Sequence, residues 1–283
     1  MSEDKQVAGT PLAAKRDAGV RLAAVTYEYQ AKEAVASTIP VGKISDISLR
    51  VNPGEVALLC GASGSGKSTV LRTINALAPQ FHGGELTGSI TVAGHDMHKV
   101  ELHDVCALSA TVFQNPRTQF FTTDVRSEMA FPLENLARDP ELIRTRIADI
   151  AKRSGITWAL ERTLASLSGG QLQRVACACA MVMDVPVILF DEPTSNLDTE
   201  AIIEFSGMLQ LLKDAGAAIV VAEHRLHFLQ GIADRVYRLE AGVIVEEFAA
   251  DDFFALSSAK RRERGLRSLH PAHPELPAPR GAG

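Results

Sequence analysis

The sequence lacks three features that would place it in common classes of protein. Its four cysteines, Cys60, Cys106, Cys177 and Cys179, include no C-x-x-C pair, which disfavours a zinc site or redox motif and favours buried structural thiols. Its formal net charge of −5 gives no overall attraction to nucleic acid. It also has no uninterrupted run of about 18 apolar residues, the length that a membrane-spanning helix needs.

The remaining composition is that of a globular protein. The most apolar stretch, residues 175–190, is interrupted by Asp184 and Pro186, and residues 1–18 have no apolar core of the kind found in signal peptides. We therefore expect a soluble, cytoplasmic protein that reaches a membrane only through a partner. With 283 residues, 46% of them hydrophobic, the chain can form one large domain or a core with a subdomain.

The order of apolar segments predicts an α/β fold. Residues 21–29 and 44–51 are expected to form strands of an antiparallel start. Buried strands are then expected in four apolar segments that alternate with helices, which predicts a mainly parallel sheet covered on both faces. These segments are residues 55–60, 108–113, 185–190 and 217–222. A short strand is also expected at residues 88–92 and a helix at residues 226–233.

Domain boundaries follow from the same pattern. We expect a disordered tail at residues 1–18, a main domain at 19–250, and a C-terminal helix with a disordered tail at 251–283. Because Arg, Pro and Gly are frequent beyond Ala259, disorder is expected from there on. A helical block that separates two segments of the sheet predicts an inserted α-helical subdomain at about residues 117–165.

A glycine-rich segment joins the strand at 55–60 to a predicted helix. It matches G-x-x-x-x-G-K-[ST], in which the glycines let the backbone turn tightly and approach a ligand. Successive N–H groups at the helix N-terminus then form a cradle for phosphates, while the lysine reaches the terminal phosphates and the serine hydroxyl holds Mg²⁺. The alternative is a glycine-rich turn that binds nothing. The residues are Gly61, Ala62, Ser63, Gly64, Ser65, Gly66, Lys67, Ser68 and Thr69.

Polar residues follow three further predicted strands. Functional groups gather at the carboxyl ends of such strands, so Gln114, Asp191, Glu192 and His224 are expected near the phosphate loop. Asp191 suits coordination of Mg²⁺ beside Ser68, and Glu192 suits polarisation of an attacking water. Gln114 is a candidate for orienting that water or completing the metal shell, and His224 for binding a γ-phosphate. Taken alone, each of these two is more simply explained as an ordinary strand-end residue.

Two other features leave alternatives open. The segment 167–171 precedes a helix, so it forms either a second anion site, acting from the opposite side or across a dimer, or only a helix N-cap. Either Tyr27 or Tyr29 can stack on an adenine ring, although a half-buried strand aromatic is the simpler explanation. The histidines do not have the spacing of metal ligands on one helix face; they are His95, His98 and His103.

Taken together, these motifs resemble the nucleotide-binding subunits of ABC transporters over roughly residues 20–250. Leu-Ser-Gly-Gly-Gln followed by the strand that ends in Asp191-Glu192 is highly specific for that class. The resemblance implies a P-loop NTPase fold with an ABC ATPase core, an N-terminal antiparallel β subdomain and an inserted α-helical subdomain. It also implies ATP hydrolysis, with ATP and Mg²⁺ as ligands.

The resemblance further implies that two ATPase domains pack head to tail around two ATP molecules. The phosphate loop of one protomer would face the signature segment of the other, which consists of Leu167, Ser168, Gly169, Gly170 and Gln171. Ser68, Gln114 and Asp191 would serve the metal, Glu192 would be the catalytic carboxylate, and His224 would be the switch histidine. Gln114 would also couple the metal site to the helical subdomain.

Two more assignments come only from the resemblance. A loop that communicates between the two ATP sites, called the D-loop, would comprise Ser195, Asn196, Leu197 and Asp198. Tyr29 matches the adenine-stacking aromatic better than Tyr27 does, although the loop after it is longer and more polar than usual.

A finer resemblance points to the energy-coupling-factor importers of cobalt, nickel or vitamins. It rests on residues 113–116, 119–121, 128–135, 223–226 and 233–236. It implies three partners, namely a second ATPase subunit, identical or different, an integral membrane coupling protein and a small substrate-binding membrane protein. The chain would then lie on the inner face of the cell membrane, and Phe120 and Phe121 would be candidates for the docking groove or for ordinary core.

Two other classes remain open. One is a soluble ABC ATPase that acts on ribosomes or nucleic acid, which only the basic cluster at residues 260–267 favours. That cluster is otherwise interpreted as a tail or as a contact with anionic lipid. The other class is a regulatory switch ATPase without a role in transport.

Overall fold

A computed structural model describes residues 19–30, 43–266 and 269. The tail predicted at residues 1–18, the loop after Tyr29 from residue 31 to 42, and residues 270–283 lie outside the described residues. Within the described part, the chain forms two β-sheets and the helices that cover them.

The smaller sheet confirms the antiparallel start. Its order is β2-β1-β4-β5, and each neighbouring pair is antiparallel. The sequence predicted only residues 88–92 of β4, but pairing with β1 extends it to Glu85, past a register shift beside Gly88. The strands are β1 (Val20–Glu28), β2 (Ile44–Val51), β4 (Glu85–Val92) and β5 (His95–Asp96).

The larger sheet carries the strands that end at the predicted site. Its order is β10-β9-β3-β8-β7-β6, in which all neighbours are parallel except the edge pair β9 and β10. Every residue of β3 and β8 is buried, as expected for strands covered on both faces. The strands are β3 (Val56–Cys60), β6 (Ser109–Val112), β7 (Val187–Asp191), β8 (Ala218–Ala222), β9 (Arg235–Glu240) and β10 (Val243–Ala249).

Eight α-helices are described. They are α1 (Lys67–Ile74), α2 (Leu77–Gln80), α3 (Val125–Asn135), α4 (Pro140–Arg153), α5 (Gly169–Met183), α6 (Thr199–Asp214), α7 (Ala250–Phe254) and α8 (Ser258–Glu263). In the part of the chain that the structure describes, every helix is too short or too polar to traverse a bilayer. Helices α3 and α4 lie between β6 and β7, where the insertion was predicted; its limits as a subdomain stay a prediction.

The two faces of the larger sheet belong to two hydrophobic clusters. Alternate residues of β3 point to opposite sides, so Leu58 packs with residues of α5 and α6 while Leu59 packs with α1 and the smaller sheet. The predicted cover on both faces is therefore confirmed. One consequence is that the loops at the carboxyl ends of the strands are held by cores on both sides.

Two predictions of local structure were wrong. Disorder was expected beyond Ala259, but residues 260–263 lie in α8, and Arg261 is only 2% exposed because its guanidinium donates to the carbonyl of Phe253 and lies over that ring. A helix was expected over residues 226–233, but only a 3₁₀ turn forms at His227–Leu229, and Gly231 then adopts a φ of 81°.

Candidate functional site

The phosphate loop turns between β3 and α1 as the sequence predicted. Gly61 has a φ of 147°, and a Cβ there would lie 2.2 Å from the carbonyl oxygen of Leu239. Gly66, with a φ of 103°, is the N-cap of α1 and offers no side chain to its first N–H groups. Those donors are therefore left for a ligand, and the positive end of the helix dipole adds to the attraction for an anion.

Lys67 places its charge inside this loop. Its side chain is 4% exposed, and Nζ donates to the carbonyl oxygens of Gly61 and Ala62 at 3.2 and 3.0 Å. Burial lowers the pKa of Lys67, and the nearby carboxylates of Glu192 and Asp191 oppose that shift. A buried ammonium group held beside uncapped backbone donors fits the phosphates of a nucleotide.

Ser68 and Asp191 form a pair at the start of α1. The hydroxyl of Ser68 donates to Oδ1 of Asp191 at 2.8 Å. Burial raises the pKa of Asp191, and the bond from Ser68 opposes the shift. Hydroxyl and carboxylate oxygens are ligands that Mg²⁺ accepts, so this donor set fits the ion.

Glu192 lies where Gln114 and His224 meet. Nε2 of Gln114 donates to one carboxylate oxygen at 3.3 Å, and Nε2 of His224 lies 2.9 Å from the other. The backbone of Glu192 has a φ of 47°, a left-handed conformation that a residue with a Cβ rarely adopts, while its N–H donates to Ala222 at 2.8 Å. The strand ends thus bring together all four polar side chains, as the sequence predicted.

An open cleft of about 310 Å³ lies against this cluster. Glu192, Glu223 and His224 line one side, and the outer part of the phosphate loop lines another. Gly265 and Leu266 also line it, although the sequence had assigned them to a disordered tail. Their place in the cleft depends on the packing of α8, which the local sequence does not reveal.

The signature segment is a helix N-cap in this protomer. The hydroxyl of Ser168 accepts from the N–H of Gln171 at 3.3 Å, and the side-chain oxygen of Gln171 accepts from the N–H of Ser168 at 2.9 Å. Ser168 and Gly169 are exposed. Among the described residues, none of the hydrogen bonds of this segment reaches the phosphate loop, so its predicted role in a second protomer stays a prediction.

The predicted D-loop connects the cluster to α6. Asp198 caps that helix by accepting from the N–H of Ala201 at 2.9 Å, and Leu197 is buried. A Cβ on Gly169 would lie 3.8 Å from the carbonyl oxygen of Asn196, so the D-loop and the signature segment are neighbours. The backbone N–H of Ser195 donates to the carbonyl oxygen of Glu192 at 3.3 Å, which links this loop to the cluster.

The aromatic prediction receives little support from exposure. Tyr29 is 8% exposed, its hydroxyl accepts from Arg72 at 3.0 Å, and its ring lies edge-on to Tyr27 at 4.7 Å. Adenine stacking by Tyr29 stays a prediction. In the described ranges, no group of three or more His, Cys, Asp or Glu side chains is placed to hold a metal ion. His95, His98 and His103 are exposed.

Sequence reasoning missed three residues around the cluster. Glu223 is buried and accepts from the hydroxyl of Thr194, while Arg225 donates to the carbonyl of Leu197 at 2.9 Å. Burial raises the pKa of Glu223 to about 7. The one sequence signal was an acidic residue directly after a fully apolar strand, which is the signal that identified Asp191.

Comparisons with known proteins agree with this geometry. The family model described as ABC transporter matches residues 44–195. A putative ABC transporter ATP-binding protein of Treponema denticola is 38% identical over 251 residues, covering 89% of this chain and 50% of its own length. One of Methanosarcina acetivorans is 33% identical, covering 87% and 39%. The chain thus spans about half or less of these relatives.

Two solved structures have the same fold. CbiO1 from Clostridium perfringens, described as part of the ABC transporter complex CbiONQ, has a TM-score of 0.72 at 25% identity and covers 88% of this chain and 94% of its own. The ATP-binding subunit of another ABC transporter has a TM-score of 0.68 at 21% identity, with the same coverage.

Proposed function

The chain belongs to the ABC transporter ATP-binding family, whose members are ATPases, and we propose that it hydrolyses ATP to drive a membrane transporter of the energy-coupling-factor type. The observation that carries the proposal is the cluster at the strand ends. A buried lysine, a hydroxyl–carboxylate pair and a carboxylate held by a glutamine and a histidine meet at one phosphate cradle.

Each residue of the cluster has a distinct task in this proposal. Lys67 and the N–H groups at the start of α1 bind the phosphates, and Ser68, Asp191 and Gln114 hold Mg²⁺, which supplies charge neutralisation when bound. Glu192 accepts the proton of the attacking water. His224 orients the Glu192 carboxylate in the absence of ligand, and contact with a terminal phosphate would exchange that partner.

The second half of the site comes from another protomer. Ser168 is exposed and Gly170 is half-buried at a helix N-terminus whose capping box is already formed, so a phosphate from a facing chain can add to it without disturbing the helix. ATP bound by both protomers favours the closed dimer, because it makes contacts there that the open state lacks. Hydrolysis removes that difference and lets the dimer open.

A membrane partner would dock on the helical block. Phe121 is 77% exposed and stacks on Phe131 with ring centroids 5.0 Å apart, whereas Phe120 packs against the core. The carboxylate of Glu128 fixes this loop by accepting from the N–H groups of Phe121 and Thr122 at 3.0 and 2.8 Å. The loop follows Gln114 directly, so movement at the cluster can reach it.

The alternative class loses part of its main feature. Within the basic cluster that favoured nucleic acid, Arg261 is buried and Arg264 is paired with Glu246 at 3.0 Å. Two of the four basic residues that the structure describes in this cluster are therefore engaged in contacts within the protein, whereas Lys260 and Arg262 are exposed. CbiO1, with which this chain shares its fold, is described as part of a transporter complex, which supports transport as the role.

The test is the variant Glu192→Gln in the full chain. Hydrolysis of Mg²⁺-ATP is expected to fall at least ~10²-fold, a loss of the size of a general base, while ATP still binds and dimers accumulate. Glu85→Gln, at an exposed strand position, is the matched control and should keep the wild-type rate. Near-normal turnover by Glu192→Gln would remove the assignment.

Transport is tested by co-purification from membranes. An integral membrane protein that is retained by the wild type and lost in Phe121→Ser supports the docking surface. Recovery of ribosomes or nucleic acid instead would overturn the transport role while leaving the hydrolytic site intact.

A further inference from the structure

We propose that Glu223 is a positioning residue for ATP hydrolysis. Its hydrogen bond with Thr194, called the latch below, fixes the segment after Glu192 to the end of β8 and so holds the Glu192 carboxylate beside His224. This inference rests on the proposed function of Glu192. The geometry that supports it lies beyond the phosphate loop, the metal pair and the signature segment.

The latch begins with the register of two neighbouring strands. Asp191 of β7 pairs with Ala222 of β8, so Glu192 and Glu223 are the first residues beyond two adjacent parallel strands. Glu192 turns the chain through its left-handed conformation, and this brings Thr194 back against β8. The backbone N–H of Glu223 in turn donates to Leu59 at 3.1 Å, which fixes it to the strand that feeds the phosphate loop.

Glu223 then closes the latch with its side chain. The carboxylate is 1% exposed, and Oε1 accepts from the hydroxyl of Thr194, which is itself fully buried, and from the N–H of Arg225 at 3.4 Å. Oε2 is buried and accepts no hydrogen bond in the described part of the chain. A buried acid with one oxygen used and one unused is an expensive arrangement, so a plain structural role is better filled by an apolar residue.

Arg225 adds a second connection on the other side of His224. Its Nη1 donates to the carbonyl of Leu197 at 2.9 Å, and the N–H of Leu197 donates to Thr194 at 3.1 Å. Glu223 and Arg225, the residues before and after His224, therefore both form hydrogen bonds with the segment 194–197. A shift of that segment, which contains most of the predicted D-loop, must move Glu192 and His224 relative to each other.

The consequence concerns alignment of the general base. The left-handed backbone of Glu192 is unfavourable for a residue with a side chain and persists only when neighbouring contacts impose it. The Thr194–Glu223 bond supplies such a contact two residues further along the chain. Loss of the acceptor should therefore release the turn and misplace the carboxylate, while the phosphate-binding loop stays intact.

The experiment compares kcat and KM for Mg²⁺-ATP in the full chain. Glu223→Ala should lower kcat about 10- to 100-fold with KM for ATP unchanged, as expected for a small misplacement of a catalytic group. Glu223→Gln keeps the oxygen acceptor and should stay within about threefold of the wild type. Thr194→Val should behave like Glu223→Ala, and Thr194→Ser like the wild type.

Asp234 provides a matched control at the opposite edge of the same sheet. Its carboxylate accepts from the N–H of Val56 and from Lys213, both at 2.8 Å, so Asp234→Ala also removes a carboxylate latch. That variant should lose stability but keep the kcat of its folded fraction. The comparison separates loss of stability from loss of alignment.

Two results would overturn the inference. One is a wild-type kcat in Glu223→Ala; the other is a loss in Glu223→Gln as large as that in Glu223→Ala. If Glu223→Ala does not fold, the Thr194 pair decides, because equal rates for Thr194→Val and Thr194→Ser also contradict the latch. Should Glu192→Gln lose hydrolysis while Glu223→Ala keeps it, the proposed function stands and only the latch is wrong.

Discussion

Two glycine-containing segments of this chain each lead into a helix, and the two helix N-termini are built in opposite ways. Gly66 caps α1 without a side chain, and the buried ammonium of Lys67 lies beside the uncapped donors. Ser168 caps α5 with its hydroxyl, and Gln171 returns a second bond to the backbone of Ser168. The first N-terminus is left open to a ligand, whereas the second is partly capped by its own side chains.

The surroundings of the two N-termini differ in the same sense. Carboxylates, an amide and an imidazole from three neighbouring strand ends surround the phosphate loop. Ser168 and Gly169 instead face solvent. Because the second segment needs no ligand for its own stability, we propose that its exposed backbone receives a phosphate bound to another chain.

The largest effect is expected from a variant that removes the ammonium group beside the open N-terminus. Lys67→Ala should weaken ATP binding by at least ~10²-fold, because each hydrogen bond to a charged group contributes about 1.5–3 kcal/mol and the ammonium can serve two phosphates. Calorimetric titration of the full chain with Mg²⁺-ATP measures the change.

Lys213 is the matched control for that variant. Its ammonium also donates to a backbone carbonyl, that of Ile232 at 2.8 Å, and pairs with Asp234 at the far edge of the sheet. Lys213→Ala should destabilise the fold and leave ATP affinity unchanged. Equal losses of affinity in the two variants would show that the open N-terminus is not the phosphate site.

A smaller effect concerns stability around the open N-terminus as pH changes. Burial raises the pKa of Glu223 from 4.5 to about 7 in the fold, so the folded chain binds more protons than the unfolded chain between those values. This carboxyl therefore favours the fold at low pH, and its contribution declines as pH rises from about 4.5 through 7. The decline should be about 2–3 kcal/mol.

Glu223→Gln removes that titration. Urea unfolding at intervals from pH 5 to pH 8 should show the wild type losing stability relative to the variant, with the difference complete slightly above pH 7. Parallel stability curves over this range would mean that Glu223 is ionised in the fold without penalty.

The residues around the open N-terminus could be predicted from the sequence. The residues at the strand ends, from Gln114 to His224, were predicted because buried parallel strands place their carboxyl ends at one edge. The bond between Ser68 and Asp191 follows from that topology, although the two residues are far apart in the chain. Local pattern and one general rule of sheets were sufficient there.

The parts that escaped prediction depend on contacts between distant segments. Arg261 lies in a run of charges that is typical of a tail, and only its bonds to the chain around Phe253 bury it. Glu223 was missed, since the left-handed turn at Glu192 that brings Thr194 to it has no sequence signal. The ring of Tyr29 packs edge-on against the ring of Tyr27, and this contact lowers the exposed fraction of Tyr29.

The smallest expected effect tests whether the satisfied N-terminus completes the open one. Ser168→Asp keeps an effective N-cap, so the melting temperature should hold, yet its carboxylate would repel a phosphate from a facing protomer. Hydrolysis should fall about 10-fold, the effect of one lost anion contact of about 1.4 kcal/mol, with ATP affinity of the open N-terminus retained. Ser168→Thr, which keeps both the hydroxyl and the cap, is the control and should stay close to the wild-type rate.

Mixing two variants then tests whether each ATP site is formed by one chain or by two. If the halves of a site come from different copies, a mixed dimer of Lys67→Ala and Ser168→Asp has one site with both defects and one with neither. Random pairing makes half of the dimers mixed, so an equal mixture should recover up to about a quarter of the wild-type rate, above the mean of the separate variants. Recovery would place the two N-termini in one site across the dimer. An equal mixture that is no faster than that mean would show that two copies of this chain do not share a site. In that case each copy would carry its own defect.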